Sequence, residues 1–194
     1  VGDAGVEKAG EEEASDWSKT FINYFGMGVD GRVVALFEEC RTAYPWLFCC
    51  RCMNNAIYGW FGATFCCRQK HQLGAGDFVL ELDGAALAIP KNSQGLQILN
   101  IQSFMGGVEL WQHPEKKADP SDGNLSVCSV NGALHLGTIK LNAGTAHALS
   151  QSDDVLIRCP KKTSFPVPAQ IDGEALVLPT PGTYQITKLP QASM

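Results

Sequence analysis

Gln170-Ile171-Asp172-Gly173-Glu174-Ala175-Leu176-Val177-Leu178 sets an Asp-Gly pair between two hydrophobic runs. That arrangement is the strongest short-range signal for a two-residue hairpin, so the stretch predicts two antiparallel strands. The turn also carries two carboxylates, Asp172 and Glu174. A carboxylate at a tight exposed turn can take a proton from a substrate hydroxyl. On a regular strand, residues two apart share a face. Taken alone, an Asp-Gly turn is more often backbone geometry than chemistry.

The same period-two logic extends upstream. Phe78–Leu82, Asp83-Gly84 and Ala85–Ile89 form a second predicted hairpin, and Gly95–Ile101 is a nearly continuous apolar strand. Further short strands are expected at Leu125–Val130, Leu134–Leu136, Ala146–Leu149, Val155–Cys159 and Tyr184–Leu189. Many short strands at this spacing argue for an antiparallel sandwich. Leu136–Leu149 has room for one short helix. Toward the N-terminus, Phe21–Phe25 reads as strand, and Gly26, Gly28 and Gly31 mark bends or close backbone approach. Val34–Arg41 reads as a helix ending near Pro45. The predicted fold class is α+β, mainly an antiparallel β-sandwich with a helical insertion near residues 33–70. Asp-Gly pairs begin at Asp30, Asp83, Asp122 and Asp172. Turn chemistry accounts for the first two.

The chain has 194 residues, 45% of them hydrophobic, and a formal net charge of −5. That is one domain, or one lobe of a larger enzyme, with no basic stripe to hold nucleic acid. Residues 1–16, with Glu11-Glu12-Glu13, are acidic and Gly/Ala-rich, and read as a linker or disordered tail before a lobe spanning 17–194. The first residue is Val, which suggests a piece of a longer chain extending N-terminally. No apolar run of about 18 residues offers a membrane span.

Six of the eight cysteines fall between Cys40 and Cys67. Adjacent pairs match neither a disulfide scaffold nor a zinc pattern. They read as reduced cytosolic thiols on a helix, with lipidation of a membrane-facing helix as the alternative. Trp46–Gln69 is apolar nearly all round, so it is buried or meets a hydrophobic partner; burial is the expectation.

Taken together, the blocks resemble one family. Asn23-Tyr24-Phe25-Gly26-Met27-Gly28-Val29-Asp30 resembles the opening of the diacylglycerol kinase accessory domain. Asn54–Gly62 is similar to its helical stretch. Leu99–Trp111, containing Asn100-Ile101-Gln102-Ser103-Phe104-Met105-Gly106-Gly107, is similar to its Asn-Ile-x-Ser-x-x-Gly-Gly motif. Asp122–Val127 and Pro166–Ala175 resemble the closing blocks. The last carries two extra residues, an even insertion that keeps side-chain faces. The Trp46–Cys67 stretch is less charged than the family pattern.

The resemblance implies the C-terminal lobe of a lipid kinase that moves the γ-phosphoryl of ATP, with Mg2+, to the hydroxyl of diacylglycerol, giving phosphatidic acid. The nucleotide-binding lobe of the same protein, with its Gly-Gly-Asp-Gly-Thr loop, is the implied partner; that loop is absent here, so this chain alone is expected to be inactive. Asp172 is the implied general base, with Glu174 holding a metal or water. Gly106 and Gly107 let a phosphate or lipid head group approach, with Asn100 and Ser103 beside them. Asp119 and Asp122 are oxygen donors for a structural Mg2+. The implied lipid is diacylglycerol or a relative at a membrane surface, and the implied location is cytoplasmic and peripheral at membranes. A sphingoid or ceramide kinase lobe, or a non-catalytic regulatory lobe that binds membrane, are the competing readings.

Overall fold

The computed structural model describes residues 3–9, 17–68, 73, 78–105, 107–113, 115–161, 163 and 167–189. In chain order the elements are β1 (Ala4–Ala9), β2 (Ser18–Phe21), β3 (Tyr24–Gly28), α1 (Val29–Ala43), a 3-10 turn (Pro45–Phe48) and α2 (Arg51–Arg68). Then follow β4 (Val79–Leu82), β5 (Ala85–Leu87), β6 (Gly95–Leu99), β7 (Ser103–Phe104), β8 (Val108–Glu109) and β9 (Leu125–Val130). The chain continues with α3 (Ala133–Lys140), β10 (His147–Ser152), β11 (Asp154–Cys159), β12 (Val167–Ile171), β13 (Glu174–Leu178) and β14 (Gly182–Lys188).

Two six-stranded antiparallel sheets form the body, in the orders β2-β1-β14-β11-β4-β5 and β10-β9-β6-β3-β12-β13. A small β7-β8 hairpin stands apart. Between the sheets lie Phe25, Met27, Leu80, Leu96, Ile98, Val127, Ile157, Tyr184 and Ile186. Phe25, Ile98 and Val127 are fully buried, and burying such a side chain contributes roughly 1.5–3 kcal/mol. The second sheet is covered on both faces. Its outer face meets α3 and the Phe104–Trp111 segment through Val29, Leu99, Cys128, Val130, Leu136 and Ile139. Hence every residue of β6 and β9 is buried, and the apolar run at Gly95–Ile101 does not alternate. The α+β sandwich with a helical insertion is therefore the observed architecture.

Several local expectations change. The tail expected over residues 1–16 is wrong in part, because Ala4–Ala9 is a central strand paired to β2 and β14. Glu11-Glu12-Glu13 lie outside the described residues. Leu134–Leu136, expected as strand, opens α3; a short apolar run does not distinguish the two. Helix α1 begins at Val29 rather than near Val34. Gly28, at φ 87, turns the chain out of β3 into that helix, and a Cβ there would sit 2.2 Å from the Gln94 carbonyl oxygen.

The aromatic stretch expected to be buried is not. Trp46 is 73% exposed and Trp60 68%. Cys49, Cys50 and Cys52 are exposed free thiols beside them, whereas Cys128 and Cys159 are buried. Burial pushes the Cys128 thiol up to about 12. The side chains of Cys66 and Cys67 lie outside the described residues.

Candidate active site

Asp172 and Gly173 form the two-residue turn between β12 and β13, with φ of 50 and 90. Two positive φ values suit the right-handed twist of a hairpin. The Asp172 carboxylate then reaches the turn between β2 and β3. Its Oδ2 accepts the Ile22 amide at 2.8 Å. Its Oδ1 accepts the Asn23 and Tyr24 amides at 2.8 and 2.9 Å. The Asp172 amide in turn donates to the Tyr24 carbonyl at 3.1 Å. A carboxylate has about four lone-pair sites, so three are used and the group stays exposed in one orientation. Glu174 is exposed at the start of β13.

Asn100 grips the other side of the Ile22–Tyr24 turn. Its Nδ2 donates to the Ile22 carbonyl at 2.7 Å, and its backbone amide to that of Asn23 at 2.9 Å. It is 3% exposed. The Lys188 ammonium donates to Asn100 Oδ1 and, at 3.2 Å, to the Pro120 carbonyl. Burial pushes the Lys188 amine down, against the opposing effect of Asp122. Four segments thus converge at one end of the sandwich: 22–24, 100–101, 119–122 and the Asp172 turn.

Within the 119–122 loop, Asp119 Oδ1 accepts the Ser121 amide at 2.8 Å and its hydroxyl at 2.6 Å. Those bonds hold the Asp119 carboxyl below its ordinary value. Asp122 Oδ1 accepts the Asn124 amide at 2.7 Å. Both are Asx-type turns. Among the described residues, no three His, Cys, Asp or Glu groups gather to hold a metal. Ser103 and Gly107 lie exposed on the β7-β8 hairpin, Gly107 at φ 118 with open space where a Cβ would be. Gly106 lies outside the described residues.

Beneath this surface runs a buried polar file. Gln170, fully buried, accepts the Gly173 amide on Oε1 at 2.7 Å and donates from Nε2 to Asp30 Oδ2 at 2.9 Å. Tyr58 donates to Asp30 Oδ1 at 3.4 Å. Asp30 is 2% exposed. Burial pushes its carboxyl up to about 6, with the nearby polar side chains of Gln170, Tyr58 and Gln97 opposing. Tyr58 is pushed up by burial and by Asp30. Tyr24 rises to about 12 for the same two reasons, while the Met105 amide opposes. The turn expected at Asp30-Gly31 is not a turn: Asp30 sits in the first turn of α1, where an acid suits the helix end. α1 lies flat on β12 because Gly31 has no Cβ; one would sit 2.4 Å from the Ala169 Cα. An acid at the head of a helical run was the available signal for Asp30. Nothing in the local sequence marks Gln170 or Lys188.

The arrangement can hold one carboxylate rigidly at an exposed turn, backed by a buried titratable acid. Perturbed acids of that kind concentrate at functional sites.

Residues 20–175 match the diacylglycerol kinase accessory domain. Diacylglycerol kinase 2 of Arabidopsis thaliana is 36% identical over 200 residues, covering 97% of this chain and 27% of the relative. Diacylglycerol kinase 1 of the same organism is 32% identical over 162 residues, covering 80% and 22%. The chain therefore spans about a quarter of the length of these relatives. Among solved structures, yeast NADH kinase complexed with NADH has a TM-score of 0.50 at 10% identity, over 97% of this chain and 40% of that one, a likeness of fold alone. With the family matched over most of its length and its strands and turns set as described, the chain belongs to the diacylglycerol kinase accessory domain family.

Proposed function

We propose that this lobe completes the active site of a lipid kinase that transfers the γ-phosphoryl of ATP to the free hydroxyl of diacylglycerol, yielding phosphatidic acid and ADP. The observation that carries the reading is the Asp172 carboxylate, exposed yet fixed by three backbone amides. In a loose phosphoryl-transfer transition state the hydroxyl proton leaves late, so orientation matters more than basicity. The remaining lone-pair site of Asp172 accepts the hydroxyl hydrogen and aims the oxygen at phosphorus. Glu174, exposed beside it, holds water or charge at the same edge.

The Asp119–Asp122 loop fits Mg2+ poorly. Its carboxylates serve turn amides, and the Lys188 ammonium already brings a positive charge to it. No step is routed through a metal there. Mg2+ commonly rides on substrate phosphates with few carboxylates, so ATP and Mg2+ belong with a nucleotide-binding lobe of the same protein. Ser103, exposed on the β7-β8 hairpin, offers a hydroxyl donor for a phosphate, whereas the Gly107 amide is already bonded to the Phe104 carbonyl at 3.2 Å.

Peripheral contact with the cytoplasmic face of a membrane is supported by the stretch from Tyr44 to Arg68. It contains no Asp or Glu, and it exposes Trp46, Met53 and Trp60; aromatic residues favour the membrane interface. No helix among the described residues is long and apolar enough to cross a membrane.

The test is phosphate transfer from ATP by the full-length protein to diacylglycerol, sphingosine or ceramide in mixed micelles. The reading expects phosphatidic acid. Exclusive phosphorylation of a sphingoid lipid, or none at all, overturns it.

A further inference from the structure

Helices α2 and α3 face each other through small residues. A Cβ on Gly62 would lie 3.7 Å from the Ala133 Cβ, while one on Gly59 or Gly137 would meet nothing within 4 Å. The helices leave between them, above α1, a cavity of about 340 Å³. Val33, Met105, Leu134 and Leu136 supply apolar wall. Leu134 is 62% exposed, so the cavity reaches the surface there. Asp30 and Tyr58 line it too. Small-molecule sites have this size and this composition, apolar walls with a few convergent polar groups. Through Gln170, Asp30 is tied to the hairpin that carries Asp172. Cavity and candidate base are therefore held in one rigid relation.

We infer that this cavity receives one acyl chain of the acceptor lipid and so positions its free hydroxyl at the Asp172 turn. The inference rests on the lipid kinase reading given above. Three features single out a neutral lipid's chain. The walls offer hydrocarbon contact. The void exists because Gly59, Gly62, Ala133 and Gly137 carry little or no side chain. The head group, outside the cavity at the Asp172 turn, meets the exposed Asp172 and Glu174 carboxylates, which repel an anionic lipid and accept a neutral one.

The experiment uses the full-length protein with Gly59→Leu and, separately, Gly137→Leu. Each leucine enters open space and is a better helix former than glycine, so the fold is retained; melting temperature verifies this. Two readings are taken: steady-state kinetics on dioleoylglycerol in mixed micelles, and titration with a fluorescent nitrobenzoxadiazole-labelled diacylglycerol. Filling the cavity displaces a few methylenes, so KM for the lipid and Kd for the probe rise about tenfold. kcat, KM for ATP and co-sedimentation with phosphatidylcholine vesicles stay within about twofold. Leu141→Ala, exposed on the surface after α3, changes none of these. If wild type makes phosphatidic acid and both folded variants keep its lipid KM and probe affinity, the cavity inference fails while the kinase reading stands. If wild type makes none, the kinase reading fails, and loss of probe binding in the variants decides whether the cavity holds a lipid.

Discussion

Asp30→Asn is expected to make the chain more stable at alkaline pH and less stable in acid. The Asp30 carboxyl is buried, and its folded value of about 6 lies above the ordinary 3.8. That gap corresponds to about 3 kcal/mol between protonation states. The folded state holds the proton more tightly, so between pH 3.8 and about 6 it binds more protons than the unfolded chain. Stability is full below the unfolded value and is lost as pH rises through the folded one. Asparagine carries no charge at any pH and removes this loss. It keeps an acceptor for Gln170 Nε2, and its amide can donate to the Tyr58 hydroxyl; imperfect geometry there costs about 1 kcal/mol. The net effect is a gain of about 2 kcal/mol at pH 8 and a loss of about 1 kcal/mol at pH 3.5. For a chain of this size, the pH 8 gain raises Tm by about 4–8 °C. Urea unfolding of wild type and variant across this pH range, read by tryptophan fluorescence, measures the crossing. Parallel curves, or a variant less stable at pH 8, would refute the account of Asp30 as a buried acid kept against its solvation preference.

Gly31→Ala places a methyl 2.4 Å from the Ala169 Cα; overpacking of this kind costs about 1–3 kcal/mol, read as a lower urea midpoint with unchanged m. Asp172→Ala leaves three amides of the Ile22–Tyr24 turn without their acceptor. By analogy with a lost helix cap it destabilises by about 2 kcal/mol, and hydrogen exchange at those three amides accelerates. Cys49, Cys50 and Cys52 react with iodoacetamide under native conditions while Cys128 stays protected until unfolding; mass spectrometry of the labelled peptides separates them.

What was legible in the sequence was local. The hairpins at Asp83-Gly84 and Asp172-Gly173 follow from turn chemistry, and Leu125–Val130 appears as a strand with its expected bounds. The close approaches expected from Gly26, Gly28 and Gly31 are all present. What failed depended on distant partners. Ala4–Ala9 looks like a polar, small-residue tail, and only its pairing with β14, far along the chain, makes it a strand. Asp30-Gly31 carries the same dipeptide as a turn, yet the helix resting on Ala169 overrides that preference. The aromatic run at Trp46–Gln69 implied burial, but what covers a face is not written in the face itself. In the candidate site, the Asp172 position was legible from the turn and the family blocks. Its clasp by three amides was not, because backbone amides carry no side-chain signature.

The most direct measurement is the turnover of the full-length protein carrying Asp172→Asn, on diacylglycerol with ATP and Mg2+. Asparagine keeps an oxygen for the Asn23 and Tyr24 amides and loses only the Ile22 bond, at a cost of about 1 kcal/mol, so the fold persists, while the charge that accepts the hydroxyl proton is gone. The account predicts a melting temperature near wild type and kcat lower by about 10²-fold or more, with KM for ATP unchanged. A folded variant with kcat near wild type would contradict it and leave Asp172 as a fastener of the Ile22–Tyr24 turn.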